Sequence, residues 1–315
     1  MKKVIVTGGA GFVGSHLCER LLSLGYFVTC LDNFQTSSCD NIKKILNNEN
    51  FLFINTDVTS PYNFECDEIY NLACPASPIQ YQKNPLHTTM TSVLGMYNAI
   101  ECAKVNHARI LQASTSEVYG NPLEHPQVET YWGNVNPIGI RSCYDEGKRC
   151  AETLLCDAHR LNLVEGRIVR IFNTYGDKMS MTDGRVVSNF IVHALQNKDI
   201  EVYGDGQQTR SLMFVDDLVD GLIKVMENNE IDCTPINLGT QDEITIRDFA
   251  LKIIEMTNSK SNIVFKELPA DDPIKRRPNT EKALTLIKWR PTTTLDDGLK
   301  KTIDFFKEKI CFSEN

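Results

Sequence analysis

Tyr144 and Lys148 stand four residues apart in "YDEGK", a spacing that puts both side chains on one face of a helix. A phenol titrates near pH ~10, and a neighbouring ammonium favours its phenolate, so the pair is a candidate general base. Upstream, "RILQASTSE" ends an apolar run in three hydroxyl residues and an acid, with Thr115, Ser116 and Glu117 where a buried strand would turn. Near the N-terminus, "TGGAGFVG" spaces Gly8, Gly11 and Gly14 between an apolar run and a helix-like one. Glycine lets the backbone turn tightly against a pyrophosphate, which then sits on the free N–H groups and positive end of the helix. Asp32 follows about 20 residues on, where a carboxylate accepts from ribose hydroxyls. Its charge repels a 2′-phosphate, so NAD is favoured over NADP.

These groups need a frame that converges them. Short β-branched runs ("KKVIVT", "FVTCLD", "FLFINT", "EIYNLA", "RILQAS", "GRIVRIFN") alternate with amphipathic stretches over Phe12 to Leu24, Thr88 to Asn106 and Tyr144 to Leu161. That alternation predicts βαβ units and, with the glycine loop, an α/β fold with a Rossmann-type doubly wound parallel sheet. Beyond Asn173 the pattern loosens. Short strands ("IEVYG", "PINLG", "IVFKEL") mix with helices ("VVSNFIVHALQ", "VDDLVDGLIKVMEN", "TIRDFALKIIEMT", "LDDGLKKTIDFFKEK"). Residues 1–172 are read as the NAD-binding part, and 173–315 as a smaller region that mainly binds substrate, interleaved with the first and not folding independently.

The chain has 315 residues, 42% of them hydrophobic, enough for one substantial core. No apolar run approaches the roughly 20 residues that span a bilayer, and no signal peptide is evident, so a cytoplasmic protein is expected. The eleven cysteines are scattered without Cys-x-x-Cys pairs, which suggests reduced thiols rather than a zinc site or a disulfide framework. A net charge of −8 disfavours nucleic-acid and membrane partners; an anionic ligand would need a local cluster of cations.

The glycine fingerprint with Asp32, the hydroxyl residues ending "LQAST" and the Tyr-x-x-x-Lys helix resemble the extended short-chain dehydrogenase/reductase family. A longer stretch, "ASTSEVYGNPLEHPQVETYWGNVNPIGIRSCYDEGKRCAETL", with "RIFNTYG", "MSMTDGRVVSNFI", "VYGDGQQTR" and "DDPIKRRPN", resembles the UDP-glucuronate decarboxylases, or UDP-xylose synthases. The likeness runs from Lys3 to about Phe306. It implies that Thr115 hydrogen-bonds the reacting sugar, Tyr144 removes a hydroxyl proton, and Lys148 holds the nicotinamide ribose. It also implies NAD contacts from Gly8, Gly11, Phe12, Val13, Asp32, Asn33, Asp57, Val58, Leu72, Ala73 and Thr91, although Asp57 before "VTS" is equally an ordinary turn residue. A homodimer is implied as well.

Ser116 fits this resemblance. In 4,6-dehydratases acting on thymidine-diphosphate glucose the corresponding residue is Asp, which helps expel a C6 hydroxyl. A uronic acid has no such hydroxyl, and a second acid would repel the substrate's carboxylate. Glu117 is expected as a proton relay or base, or as a group that presses the substrate carboxylate toward loss. Among the arginines, whose planar forks suit phosphate, the resemblance places Arg210 and Arg276 on the diphosphate, Arg276 close enough to act on the reacting sugar, with Arg185 as a further substrate contact. Asn173 is expected on the diphosphate or sugar and Tyr203 against uracil, while Lys275 and Arg277 are expected as flanking surface charges. The chain departs from the family at "NFQTSSCDN", where Ser37, Ser38 and Cys39 replace a glycine and basic residues. The rivals are a nucleotide-sugar 4,6-dehydratase or 4-epimerase, and a binder that holds NAD without turnover; intact Thr115, Tyr144 and Lys148 argue against the binder.

Overall fold

The computed structural model describes residues 1–267 and 276–313. Its first half is the alternation read from the sequence: β1 (Lys3–Thr7), α1 (Phe12–Ser23), β2 (Phe27–Asp32), β3 (Phe51–Asn55), β4 (Glu68–Asn71), α2 (Pro78–Tyr81), α3 (Pro85–Asn106), β5 (Arg109–Thr115), α4 (Ser142–Arg160) and β6 (Glu165–Ile171). Helix α3 begins three residues before the apolar pattern does. Its start is set by local chemistry, for the Asn84 side chain accepts from the His87 N–H at 3.2 Å and Pro85 takes the first helical position.

The second half supplies β7 (Thr174–Tyr175), α5 (Val186–Leu195), β8 (Ile200–Tyr203), β9 (Thr209–Arg210), β10 (Met213–Phe214), α6 (Val215–Glu227), β11 (Ile236–Leu238), β12 (Ile244–Thr245), α7 (Ile246–Thr257), β13 (Ile263–Lys266), α8 (Glu281–Ile287) and α9 (Leu295–Ser313). The main sheet has the order β11-β6-β5-β4-β1-β2-β3, and every pairing in it is parallel. This is a Rossmann-type doubly wound sheet. Strand order reverses between β1 and β4, so the loops after those strands diverge and leave a crevice.

Side-chain alternation along the strands builds a core on each face. Ile5, Leu31, Ile69, Ile110 and Ile168 pack with Met96 and Ala99 of α3 and Ala151 and Leu155 of α4. Val4, Val6, Val28, Tyr70, Leu111 and Val169 point the other way, into the larger core holding Leu17 and Leu21 of α1 and Leu218 and Leu222 of α6. Helices α3 and α4 meet closely because residue 147 is glycine: a Cβ there would lie 3.1 Å from the Ser92 Cβ. No helix among the described residues is long and apolar enough to cross a membrane.

The two halves are joined by the sheet itself. Strand β11 extends it beyond β6, and its Asn237, fully buried, accepts from the Tyr119 hydroxyl at 2.8 Å. We propose that residues 1–172 and 173–315 divide roles and not folding units. Full-length protein is then expected to unfold in one transition followed by circular dichroism in urea, and a chain cut after residue 172 to show none; a cooperative transition in the fragment would refute the proposal.

Candidate active site

The crevice at the strand-order reversal opens into a cavity of about 450 Å³, a size suited to a cofactor. Gly8, Gly11, Phe12, Val13, Asp32, Asn33, Asp57, Val58, Leu72, Ala73 and Thr91 all line it, so the residues expected to hold a dinucleotide converge. The loops after β1 and β4 touch: Gly8 has φ +68°, and a Cβ on it would lie 2.9 Å from Ala73 Cα. At Gly14 a Cβ would meet the Gly8 carbonyl oxygen at 2.1 Å. No side chain caps the N-terminus of α1, which leaves first-turn N–H groups for an anion beside Phe12 and Val13. This uncapped turn beside a glycine cradle fits a dinucleotide pyrophosphate.

Asp32 is already engaged. One carboxylate oxygen accepts from the Ala10 N–H at 3.0 Å, the other from the Phe34 N–H and the Ser37 hydroxyl, both at 2.8 Å. These bonds fix its orientation and leave about one of its roughly four acceptor positions for a ribose hydroxyl. Ser37, in the segment that departs from the family pattern, thus orients Asp32 directly. Asp57 is both turn residue and cavity wall: its carboxylate accepts from Thr59 N–H at 2.9 Å and from Asn33 Nδ2 at 3.0 Å, and it pairs with His87 Nε2 at 2.9 Å. Lys178, Phe305 and Lys309 also line the cavity. No sequence pattern marks them, since they come from a loop and a helix remote in the chain.

At the far end of the crevice, β5 and α4 bring the catalytic candidates together. Tyr144 is buried, and the nearby Thr115 hydroxyl acts to lower the pKa of its phenol. Lys148 lies on the same helical face, its Nζ 5.9 Å from the Tyr144 ring centroid and donating to the Ala113 carbonyl at 2.8 Å. The spacing argument expects the ammonium to lower the phenol's pKa; in the protein alone burial wins. It pushes the Tyr144 phenol well above its ordinary value despite Thr115, and it lowers Lys148, because each charged form is stripped of water. Tyr81, from the short helix α2, stacks on Tyr144 with ring centroids 5.2 Å apart and planes within 6°. The sequence offered no sign of that partner.

Glu117 lies in the turn Ser116–Tyr119 after β5, and its N–H donates back to the Thr115 hydroxyl at 3.2 Å. Its carboxylate accepts from Arg141 Nη2 at 2.7 Å and from both terminal nitrogens of Arg276. Burial opposes its charge, but Arg276, Arg141 and Arg210 together hold it below the usual glutamate range. Glu117 is therefore an anchored anion. Arg141 was missed in the sequence, although it stands three residues before Tyr144 at the start of the same helix.

Arg276 reaches Glu117 because its neighbours are pinned on buried Gln127, which donates to and accepts from Arg277, the backbone N–H bond at 2.9 Å and the side-chain bond at 3.0 Å. Arg277 itself stands 3.5 Å from Glu243, and Lys275 lies outside the described residues. Arg210 is buried, and its Nη1 donates to the Thr209 carbonyl at 2.9 Å. Arg185 lines the large cavity, pairs with Asp183, and lies 5.9 Å above the Phe12 ring, nearer the cofactor crevice than the other two arginines. Asn173 is half-buried just past β6, while Tyr203 is exposed at the end of β8.

The model of the NAD dependent epimerase/dehydratase family matches residues 4–239. UDP-glucuronic acid decarboxylase 2 of Arabidopsis thaliana is 52% identical over 308 residues, 98% of this chain and 69% of that protein. UDP-glucuronic acid decarboxylase 1 of Danio rerio is 50% identical over 314 residues, 100% of this chain and 75% of that protein. Among solved structures, UDP-glucuronic acid 4-epimerase from Bacillus cereus, in complex with UDP-glucuronic acid and NAD, superposes with a TM-score of 0.87. It shares 26% identity and is covered to 99%, over 98% of this chain.

The anchored Glu117 sets a pH signature. A carboxyl held low in the folded protein contributes stability above its ordinary value of 4.5 and loses it as pH falls through the lower, folded value. Glu117→Gln is expected to lower unfolding free energy by about 3 kcal/mol at neutral pH, as removal of one partner from a buried pair does. The deficit should shrink as pH drops below 4.5. Urea titrations across pH test this; a constant deficit would contradict the ionised pair.

Proposed function

The chain belongs to the NAD dependent epimerase/dehydratase family, and from that premise we infer that it uses NAD to decarboxylate UDP-glucuronate to UDP-xylose. Relatives near 50% identity over 98% or more of this chain are UDP-glucuronic acid decarboxylases. The observation that carries the reading is Ser116, where a dehydratase of the thymidine-diphosphate glucose type has Asp, beside a Glu117 locked between two arginines. A 4,6-dehydratase or 4-epimerase remains the rival from the same family.

Bound NAD supplies a hydride acceptor, and its reduced form the donor that restores the sugar. Gly8, Gly11 and the first turn of α1 hold its pyrophosphate, Asp32 its adenosine ribose, and Lys148 its nicotinamide ribose. Tyr144 takes the proton of the C4 hydroxyl, with Thr115 sharing its hydrogen bond. Because the phenol resists ionisation in the protein alone, Tyr144 acts as base only as the hydride leaves C4 and the oxygen's proton is released. With C4 oxidised, the uronate carboxylate is β to a ketone, and the Tyr144 and Thr115 hydroxyls meet the enolate left on O4 by its loss. Arg276, fixed by Glu117, presents positive charge to the reacting sugar; Arg210, Arg185 and Asn173 hold the diphosphate side, and Tyr203 packs on uracil.

Two coarser features complete the proposal. The protein acts in the cytoplasm, supported by eleven cysteines that are all free thiols. It is a homodimer through α3, whose Leu86, Met90, Leu94 and Tyr97 are exposed along one helical face.

Purified protein with UDP-glucuronate is expected to release carbon dioxide and form UDP-xylose, followed by mass spectrometry and nuclear magnetic resonance. A keto sugar retaining C6, or UDP-galacturonate, would overturn the reading in favour of the rival. Tyr144→Phe should keep NAD affinity and lose about 10²- to 10⁴-fold in turnover. Met90→Arg with Leu94→Arg should sediment as a monomer where the unaltered chain sediments as a dimer.

A further inference from the structure

Decarboxylation consumes a proton that the residues assigned so far do not supply. Tyr144 takes one proton from the C4 hydroxyl and must return it to O4 when the hydride comes back. When the C5–C6 bond breaks, its electron pair stays on the sugar as the enolate, and C5 takes a second proton to give the methylene. Glu117 is held ionised by arginines, and Lys148 is turned to the Ala113 carbonyl.

A second cavity, of about 250 Å³, has Glu117 in its wall. Exposed Asn121 and Asn136 stand on its walls together with buried Glu117 and Asp145 and the Arg141 between them. The polar side chains in its wall and its volume suit several waters. Asp145 adjoins Tyr144 on α4, is only 7% exposed, and its Oδ1 is buried without a hydrogen-bond partner among the described residues. A buried carboxylate oxygen left unpaired is costly unless it carries a proton.

We propose that Asp145 is the acid that delivers, through the water of this cavity, the proton taken up at C5, and that it is recharged from solvent by the same route. The proposal rests on the decarboxylase reading. The step balances: carbon dioxide departs, the enolate pair forms the C5–H bond, Asp145 is left ionised, and a solvent proton restores it. Burial and then the facing charge of Glu117 raise the Asp145 carboxyl to about 7, with Glu146 adding to the rise and Arg141 and Arg276 opposing it. The other titratable groups facing this cluster are the Tyr81 phenol, raised by burial, and its stacking partner Tyr144; Cys143 precedes Tyr144 and Asp145 on α4, its thiol also raised by burial. Asp145 therefore keeps its proton into the neutral range and can release it there, as an effective acid must.

Asp145→Asn preserves shape and neutrality but carries no transferable proton. In the holoenzyme with UDP-glucuronate it is expected to reduce bound NAD at a normal rate in a single turnover, seen by absorbance, while UDP-xylose formation falls about 100-fold. Unaltered enzyme should lose turnover as pH rises through about 7; Asp145→Glu should retain that limb and Asp145→Asn should lack it. Normal turnover by Asp145→Asn, or an unaltered enzyme and Asp145→Glu that both lack the limb, overturns the relay. If Asp145→Asn fails to fold, judged by its melting and NAD affinity, the pH profiles of the other two proteins decide. Failure of unaltered enzyme to release any carbon dioxide would instead remove the decarboxylase reading itself.

Discussion

Burial of the Glu117 carboxylate between Arg141 and Arg276 is the contact on which the rest of the site depends. Three separate pieces of chain end there: the turn after β5, the start of α4, and the segment pinned on Gln127. A charge this deep survives only when paired on every side, so all three pieces must be in register for any one to be stable. The same pairing favours the charged form of Glu117. It is a fixed negative charge that aims two guanidinium groups, and its electrostatic reach extends to the neighbouring Asp145.

Exclusion of water sets the properties of the other reactive groups. Burial disfavours the charged form of both partners, raising the Tyr144 phenol and lowering the Lys148 ammonium from their ordinary values.

The frame behind the site is shared between both halves of the chain. Arg170 of β6 binds Glu152 of α4 through two nitrogens, at 3.0 and 2.8 Å, and also reaches the Tyr119 hydroxyl at 3.0 Å. Tyr119 in turn bonds Asn237 of β11. The turn carrying Glu117 is thereby tied to an edge strand contributed by the second half. Trp289 anchors that half from below, fully buried with its indole N–H on the Asp217 carbonyl at 3.0 Å.

Local and periodic features were legible in the sequence because each depends on nearby residues. Alternating apolar residues give strands buried on both faces, the glycine spacing gives a turn and a helix start, and four-residue spacing puts Tyr144 and Lys148 on one face. Resemblance in motif then extended the reading to Thr115, Glu117, Arg210 and Arg276. What lay beyond reach depends on distances through space: Tyr81 stacking on Tyr144, Arg141 sharing Glu117 with Arg276, Ser37 bonding Asp32, and the C-terminal helix lining the cofactor cavity. Charge state was hidden for the same reason. The sequence shows an ammonium near a phenol and an acid after a strand, but only packing shows that desolvation outweighs the first attraction while three arginines outweigh desolvation in the second.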